Sequence, residues 1–327
     1  MSKEISNLLV ITSGGDAPGM NAAIRAVVRT ACFHKINVFG CRGGYQGLID
    51  KAIEPMTPES VANCIQRGGT ILKTGRCDAF KQPDSRAECI RFLKAKKIDA
   101  MVVIGGDGSF RGASLLHQEG GPAVVGIPAT IDNDIMGTEY TIGFDTASNT
   151  ALQAIDKIRD TASSHDRHFL VEVMGRQAGF LALDVGIAGG AEFILTPEFP
   201  YDIKELAEIF NSKHRKKEST IIVVAEADSV PGRSLKIAKA FKELSNLDFK
   251  VCILGHTQRG GSPTLIDRKI ASEMGALSVT ALLDGKSEQM VALQQTKLLT
   301  IDFPDTNQPA RRLSDDSLLK LNRMLAT

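Results

Sequence analysis

The sequence of 327 residues is 43% hydrophobic and 24% charged, a composition typical of a globular protein and not of a disordered or membrane-spanning chain. Because 39 lysine and arginine residues balance 38 aspartate and glutamate residues, no basic field favours non-specific binding to nucleic acid. The six cysteines lack the spacing of a zinc site and the N-terminal residues do not resemble a signal peptide, so we expect a cytoplasmic protein with reduced thiols.

Short apolar segments alternate with glycine-rich loops and with segments of helical period along the whole chain. The predicted strands lie, in chain order, in the segments NLLVIT, KINVFGC, DAMVVIGGDGS, AVVGIPATIDND, HFLVEVMG, STIIVVAEAD and KVCILGH. This alternation predicts an α/β fold with parallel sheets flanked by helices, in which ligands bind at the carboxyl ends of the strands. We predict a domain boundary near residue 142, where a long helix and a second series of strands begin.

The first predicted loop, TSGGDAPGMN, places glycines at a strand end before a helix that is expected to begin near Met20. Free backbone amides at a helix start favour an anion such as phosphate. The loop lacks both the lysine of a P-loop and the G-x-G-x-x-G pattern, and a tight strand-to-helix turn has the same composition. These residues alone therefore leave nucleotide binding and a structural turn equally open.

The loop in VVIGGDGS is more specific, because Asp107 lies between glycines at a predicted strand end. Mg²⁺ prefers carboxylate oxygen, keeps several waters and bridges to substrate phosphates. The alternative is structural: Asp107 or Ser109 caps the following helix or forms an Asx turn. We favour the magnesium site.

The segment PATIDND places carboxylates at a third predicted strand end. Asp132 is positioned to accept a proton from an attacking hydroxyl, and Thr130 to hydrogen-bond a transferred phosphoryl group. For Asn133 and Asp134 the alternative role is structural: they form an Asx turn that fixes the loop.

Two later loops carry arginines directly after predicted strands. Arg176 follows VEVMG, and Arg259 lies with His256 in GHTQRGGSP. The planar guanidinium suits phosphate oxygens, so both positions favour anion binding. His256 taken alone is more typical of a hydrogen-bonded structural residue.

Five motifs, in the order TSGGDAPGMNAAIR, IGGDGS, PATIDND, VEVMGR and GHTQRGGSP, closely resemble those of the bacterial ATP-dependent 6-phosphofructokinase family. The resemblance implies Mg²⁺-dependent transfer of the γ-phosphoryl group of ATP to the 1-hydroxyl of fructose 6-phosphate, giving fructose 1,6-bisphosphate and ADP in glycolysis. It also implies two doubly wound domains with mostly parallel sheets flanked by helices and the active site in the cleft between them. Residues 1–142 plus 257–304 are expected to bind nucleotide and magnesium, and residues 143–256 plus 305–327 the sugar phosphate.

The resemblance assigns residues to each part of the site. It matches Asp132 to the general base, with Thr130 and Arg176 as further catalytic residues, and Asp107 to the metal. The residues implied along the nucleotide are Gly15, Tyr45, Arg76, Cys77, Asp107, Gly108, Ser109 and Gly112. Those implied for the sugar phosphate are Thr130, Asp132, Arg167, Met174, Gly175, Arg176, Glu226, Lys250, His256 and Arg259.

The resemblance further implies a homotetramer. In it Arg167 reaches the sugar phosphate of a neighbouring subunit, and so would the residue at position 250. An effector site between subunits, for activating ADP and inhibitory phosphoenolpyruvate, is implied by Arg25, Arg29, Arg67, Arg159, Arg215 and Lys217.

Three positions, 108, 129 and 250, are informative when the chain is compared with the family pattern. Pyrophosphate-using relatives typically have GGDDS and a lysine before TIDND, whereas this chain has Gly108 and Ala129, which favours ATP although glycine is commoner than alanine at the second position. Lys250 stands where the family commonly has arginine, and the loss of the bidentate fork predicts weaker binding of the sugar phosphate. The alternatives are a pyrophosphate-dependent phosphofructokinase and a catalytically silent nucleotide-binding subunit. The presence of Asp107, Thr130, Asp132 and Arg176 together argues against a silent subunit.

Overall fold

The computed structural model describes residues 5–211, 219–227, 232–245, 247–305 and 309–326. Contacts divide the chain into two units. Unit 1 comprises Met1–Ile131, Ile135–Thr146 and Arg259–Ala310, and unit 2 comprises Asp132–Asp134, Ala147–Gln258 and Arg311–Thr327. No helix within the described ranges is long and apolar enough to cross a membrane.

The strands and helices follow one another closely along the described residues. The strands are β1 (Asn7–Thr12), β2 (Asn37–Cys41), β3 (Ile53–Met56), β4 (Ala100–Gly105), β5 (Ala123–Pro128), β6 (His168–Val173), β7 (Phe193–Leu195), β8 (Thr220–Ala225), β9 (Phe249–Ile253), β10 (Gln289–Gln294) and β11 (Lys297–Asp302). The α-helices are α1 (Met20–Phe33), α2 (Gly44–Ile49), α3 (Pro83–Ala95), α4 (Asp107–Gln118), α5 (Phe144–Ser164), α6 (Phe180–Ala188), α7 (Ile203–Asn211), α8 (Arg233–Ser245), α9 (Leu265–Leu283) and α10 (Ser317–Leu325). Short 3₁₀ helices span Asp78–Lys81 and Gly255–Arg259.

Unit 1 is built on a sheet whose described strands have the order β11-β10-β5-β4-β1-β2-β3. The inner strands pair in parallel, and the edge strands β3 and β11 run antiparallel to their neighbours. Every residue of β4 is buried, as expected of a central parallel strand covered on both faces. The carboxyl ends of β1, β4 and β5 therefore lie side by side, and so do the loops that follow them.

Helices α1 and α9 pack against each other in unit 1. Gly275 permits their close approach, because a Cβ at that position would lie 2.6 Å from the Cβ of Ala26. The approach fixes the start of α9 near the loop that precedes α1.

Unit 2 contains a fully parallel sheet whose described strands have the order β7-β8-β6-β9. Its core includes Ile222 and Val224 of β8 and the buried aromatic side chains Phe241 and Phe249, which pack at 4.8 Å between ring centroids. The loops that follow β6, β8 and β9 meet at one edge of this sheet. They carry residues 174–176, Glu226 and residues 255–258.

The predicted α/β fold with mostly parallel sheets flanked by helices is confirmed, and each of the seven predicted strand segments contains a strand. The helix expected near Met20 begins at that residue. The sequence interpretation missed β3, β10 and β11 of unit 1 and the short strand β7 of unit 2.

Candidate active site

Three loops of unit 1 are joined by backbone and side-chain hydrogen bonds. The Ser13 amide donates to the carbonyl of Ile104 at 3.0 Å, and the Gly14 amide donates to the carbonyl of Gly75 at 3.3 Å. Thr74 Oγ1 donates to the carbonyl of Gly14 at 3.1 Å. The structure thus brings together the glycine-rich loop after β1, the segment before the first 3₁₀ helix and the end of β4, where the predicted nucleotide residues lie.

Tyr45 supports this group of three loops through a hydrogen bond and a ring contact. Its hydroxyl donates to the carbonyl of Ser109 at 2.5 Å, and its ring stacks on Phe80 with 4.0 Å between centroids. Gly112 makes room for the ring, because a Cβ there would lie 2.9 Å from it. Burial raises the pKa of the Tyr45 hydroxyl, so the side chain stays a neutral donor that braces the start of α4.

Asp107 is the first residue of α4, one position after the N-cap. The N-cap itself is Gly106, which has no side chain that could cap the helix. A Cβ built at Gly106 or at Gly108 would meet no atom within 4 Å, so the backbone on either side of Asp107 faces open space.

The surroundings of Asp107 fit a magnesium ion that is held mainly by water and substrate phosphates. The described residues contain no group of three or more His, Cys, Asp or Glu side chains that could hold a metal. A single carboxylate at an open helix N-terminus is the arrangement in which Mg²⁺ binds together with phosphate, whereas a self-sufficient metal site needs more protein ligands.

Two more residues predicted along the nucleotide, and Arg259, predicted for the sugar phosphate, lie around the same loops. Cys77 is half-buried and its thiol donates to Gln46 Oε1 at 3.3 Å, while Arg76 is exposed. Arg259 lies against the loop after β1: its Nη1 donates to the carbonyl of Asp16 at 3.1 Å. Gly15 admits that guanidinium, because a Cβ there would lie 2.7 Å from Nη1.

A second cluster lies in unit 2 and contains the candidate base. Asp132 is fully buried, and its Oδ2 lies 3.3 Å from Nε of Arg176, whose side chain is 46% exposed. The Arg176 amide donates to Glu226 Oε1 at 3.1 Å. Burial raises the pKa of Glu226 above its ordinary value, and the carboxylates of Asp132 and Glu172 add to the rise. A buried carboxylate beside a half-exposed guanidinium can take up a proton while the cation meets an anionic group.

The backbone around Arg176 is unusual. Gly175 has φ 135° and Arg176 has φ 54°, a left-handed conformation that a residue with a side chain rarely adopts. At Gly175 a Cβ would lie 2.6 Å from the carbonyl of Ala178. The tight turn after β6 therefore requires glycine at position 175 of the MGR motif. The turn also directs the Arg176 side chain toward Asp132.

Gln258 is a site residue that the sequence interpretation missed. It is fully buried, and its Oε1 accepts a hydrogen bond from the amide of Met174 at 3.4 Å. The Gln258 side chain also donates to the carbonyl of Gly255 at 3.1 Å, next to the exposed His256. The glutamine of GHTQR thus ties the loop after β9 to the loop after β6, and its place in the motif was the available signal.

Two predicted sugar-phosphate residues lie on the surface. Arg167 is exposed, and its amide donates to the carbonyl of Ala162 at 3.1 Å. Lys250 is exposed on β9 and its Nζ lies 2.7 Å from Asp248. The side chains of both residues are thus open to solvent on this chain.

The predicted effector residues fall into two groups. In unit 1, Arg25, Arg29 and Arg67 act on the same thiol, Cys64: burial raises its pKa, and the three positive charges oppose the rise. In unit 2, Arg159 donates to the carbonyls of Gly189 and Gly190, at 2.7 Å each. Arg215 and Lys217 lie outside the described residues.

Comparisons with curated proteins identify relatives along the whole chain. The family model described as phosphofructokinase matches residues 7–282. The chain is 56% identical to the ATP-dependent 6-phosphofructokinase of Coxiella burnetii over 322 residues, which cover 98% of each chain. It is 52% identical to ATP-dependent 6-phosphofructokinase 1 of Thermus thermophilus over 320 residues, or 97% of this chain and 98% of that protein. The resemblance predicted from the motifs is confirmed.

Solved structures agree with the fold. The chain superposes on Pichia pastoris phosphofructokinase in the T-state with TM-score 0.85 and 33% identity, over 92% of this chain and 35% of that longer one. It superposes on a pyrophosphate-dependent phosphofructokinase from Nitrosospira multiformis with TM-score 0.83 and 21% identity, over 98% and 91% of the two chains. The second likeness shows the fold alone.

Proposed function

The chain belongs to the phosphofructokinase family, and from that membership we propose that it is a kinase that transfers the γ-phosphoryl group of ATP to the 1-hydroxyl of fructose 6-phosphate. The products are fructose 1,6-bisphosphate and ADP, and the step belongs to glycolysis. The observation that carries the proposal within the molecule is the pair formed by the buried Asp132 and the half-exposed Arg176, 3.3 Å apart. Relatives at 56% and 52% identity that bear this enzyme name support it.

In the proposed mechanism Asp132 accepts the proton of the attacking hydroxyl, and Arg176 balances the negative charge that develops on the transferred group. Burial of Asp132 keeps bulk water away from the proton acceptor. Thr130 hydrogen-bonds the transferred phosphoryl group. Asp107 would hold Mg²⁺, which would supply positive charge to neutralise the nucleotide phosphates. The glycines around Asp107 leave the nucleotide phosphates access to backbone amides.

The donor assignment rests on small residues in unit 1. A side chain at position 108 would extend into the open space beside Asp107. There it would crowd the proposed site of the nucleotide phosphates, and Gly108 leaves that space free. Ala129 is 3% exposed and pairs with Ile142 in an isolated β-bridge, and its small side chain brings no charge to the site. Both features support ATP over pyrophosphate as the donor.

The remaining residue roles are part of the same proposal. The nucleotide contacts Gly15, Tyr45, Arg76, Cys77, Asp107, Gly108, Ser109 and Gly112, and the sugar phosphate contacts Met174, Gly175, Arg176, Glu226, His256 and Arg259. Arg167 and Lys250 come from a neighbouring subunit of a homotetramer. ADP and phosphoenolpyruvate act at Arg25, Arg29, Arg67, Arg159, Arg215 and Lys217. Units 1 and 2 correspond to the nucleotide and sugar-phosphate domains, and the enzyme works in the cytoplasm.

The test is a coupled assay of the purified protein with fructose 6-phosphate and Mg²⁺, in which ATP, GTP and pyrophosphate are compared as donors. We expect turnover with ATP and none with pyrophosphate. Turnover with pyrophosphate alone would replace the donor assignment, and inactivity with all three donors would favour a regulatory subunit without catalysis. Omission of Mg²⁺ from the ATP reaction, with EDTA present, is expected to abolish turnover.

A further inference from the structure

We propose that Arg311 is a positioning residue that holds the loop of the candidate base in register with the loop of Arg176. The inference rests on the proposed function, because it gives Asp132 the role of the base. The two loops are the Asp132 loop (Asp132–Asp134) and the Arg176 loop (Met174–Gly179), and both belong to unit 2. Arg311 is about 180 residues away from the first loop in the sequence, so no local motif reports the contact.

Arg311 contacts the Asp132 loop and Phe180, the residue after the Arg176 loop. Its amide donates to the carbonyl of Asp134 at 2.8 Å, and its Nη1 donates to the carbonyl of Asn133 at 3.3 Å. Its guanidinium carbon lies 4.4 Å from the ring centroid of Phe180, the first residue of α6 and the residue that follows the Arg176 loop. One guanidinium therefore donates to the Asp132 loop and lies over the ring of Phe180, the residue that follows the Arg176 loop.

The next two residues, Arg312 and Leu313, form hydrogen bonds that hold the Arg176 loop. Arg312 Nη2 donates to Gln177 Oε1 at 2.8 Å, and the Leu313 amide donates to Glu198 Oε1 at 3.3 Å. The same Glu198 oxygen accepts a hydrogen bond from the Gly179 amide at 2.8 Å. The segment Arg311–Leu313 thus spans the two loops, and Arg311 is the member whose side chain touches both the Asp132 loop and Phe180, the residue directly after the Arg176 loop.

The backbone of both loops needs such support. Asn133 has φ 51° and Arg176 has φ 54°, and left-handed residues with side chains persist only where their surroundings hold them. The Asp132–Arg176 distance of 3.3 Å depends on both loops at once. A small displacement of a proton acceptor costs turnover more than it costs binding, because the acceptor acts mainly in the transition state.

A purely structural role for Arg311 makes a different prediction. If the residue only anchors the C-terminal segment, its replacement lowers the thermal stability and leaves kcat of the folded enzyme unchanged. A positioning role lowers kcat in protein that remains folded. It leaves KM for ATP nearly unchanged, because the predicted nucleotide residues lie in unit 1.

The experiment compares Arg311→Met, Arg311→Lys and the matched control Arg323→Lys, which changes an exposed arginine of α10 in the same unit. We expect Arg311→Met to lower kcat about tenfold or more, with KM for ATP changed less than about twofold. Arg311→Lys keeps the charge but loses the planar face and fork, so its kcat is expected between those of Arg311→Met and the wild type. The control is expected to match the wild type.

Phe180→Leu supplies an independent readout, since it removes the ring and leaves Arg311 in place. If the ring and the guanidinium act together, the losses in kcat from Arg311→Lys and Phe180→Leu are less than additive in the double variant. Wild-type kcat in Arg311→Met overturns the inference. Where Arg311→Met does not fold, wild-type kcat in Arg311→Lys overturns it in the same way. Inactive wild-type protein with every donor would instead overturn the proposed function, and the inference with it.

Discussion

Asp132 and Arg176 combine opposite exposures in one pair. The carboxylate is fully buried and the guanidinium is 46% exposed. A proton acceptor benefits from a dry environment, whereas a cation that meets an incoming phosphoryl group must remain reachable. The Glu226 carboxylate accepts a hydrogen bond from the Arg176 amide. This bond helps to hold the turn from which the Arg176 guanidinium extends.

Asp132→Asn tests the acceptor role at nearly constant shape. We expect kcat to fall by about 10²-fold or more, because the amide cannot take up the proton, while KM values change little. Steady-state kinetics with ATP and fructose 6-phosphate measure both quantities. Asp284→Asn, at an exposed position after α9, is the control and should match the wild type. A variant at position 132 with unaltered kcat would rule out the assigned role.

The turn of residues 141–146 is the element that supports the loop after β5 in unit 1. Thr141 Oγ1 donates to the carbonyl of Thr130 at 2.7 Å. At Gly143, with φ 103°, a Cβ would lie 2.6 Å from the Cβ of Ala17 in the loop after β1. The buried Asp267, in the first turn of α9, holds this turn: it accepts hydrogen bonds from the Gly143 amide and from the amide and hydroxyl of Thr146.

The pH dependence of stability reports on Asp267. Burial raises the pKa of Asp267 from 3.8 to about 6, and the hydrogen bonds from Thr146 and Gly143 offset part of the rise. The folded protein therefore binds this proton more tightly than the unfolded chain. The stabilisation from Asp267 is fully present below pH 3.8 and is lost as the pH rises through about 6.

Asp267→Asn removes this titration. The free energy of unfolding of the wild type minus that of the variant should fall as the pH rises across that window, by up to about 3 kcal/mol. Urea unfolding at a series of pH values measures the difference. Ser278→Ala, on the same helix and without an ionisable group, should give a difference that does not depend on pH. A difference that is flat or rises for Asp267→Asn would contradict the environment described for this carboxyl.

The sequence predicts the central elements better than the peripheral ones for a physical reason. Fully buried parallel strands such as β4 are continuous apolar runs, whereas β3 (IEPM) contains a glutamate and a proline and β7 has only three residues. In the site, Asp132 and Arg176 belong to short motifs that can be read locally. Arg311 and Asp267 act through contacts with distant segments, and such contacts leave no periodic or local signal.

At the scale of the whole molecule, the proposed oligomer would give a role to residues that are open to solvent. Arg167 and Lys250 are exposed on the single chain, yet the family resemblance gives both a role at the sugar phosphate of a neighbouring subunit. In an assembly with two-fold symmetry, each of two neighbouring subunits would lend its residue to the other. A complete site then needs Asp132 from one subunit and Arg167 from the next.

Subunit mixing tests this arrangement. Asp132→Asn lacks the base and Arg167→Ala lacks the borrowed cation, so each variant alone should be nearly inactive at low fructose 6-phosphate. After the two are dissociated and reassociated together, random pairing places an intact Asp132 beside an intact Arg167 in about a quarter of the sites, so about a quarter of the wild-type activity should return. Asp132→Asn mixed with Arg176→Ala is the matched control. Those two residues lie 3.3 Å apart on one chain, so no hybrid restores a site. Exchange of subunits, verified by mass on differently tagged variants, without recovery of activity would show that each site is complete within one subunit.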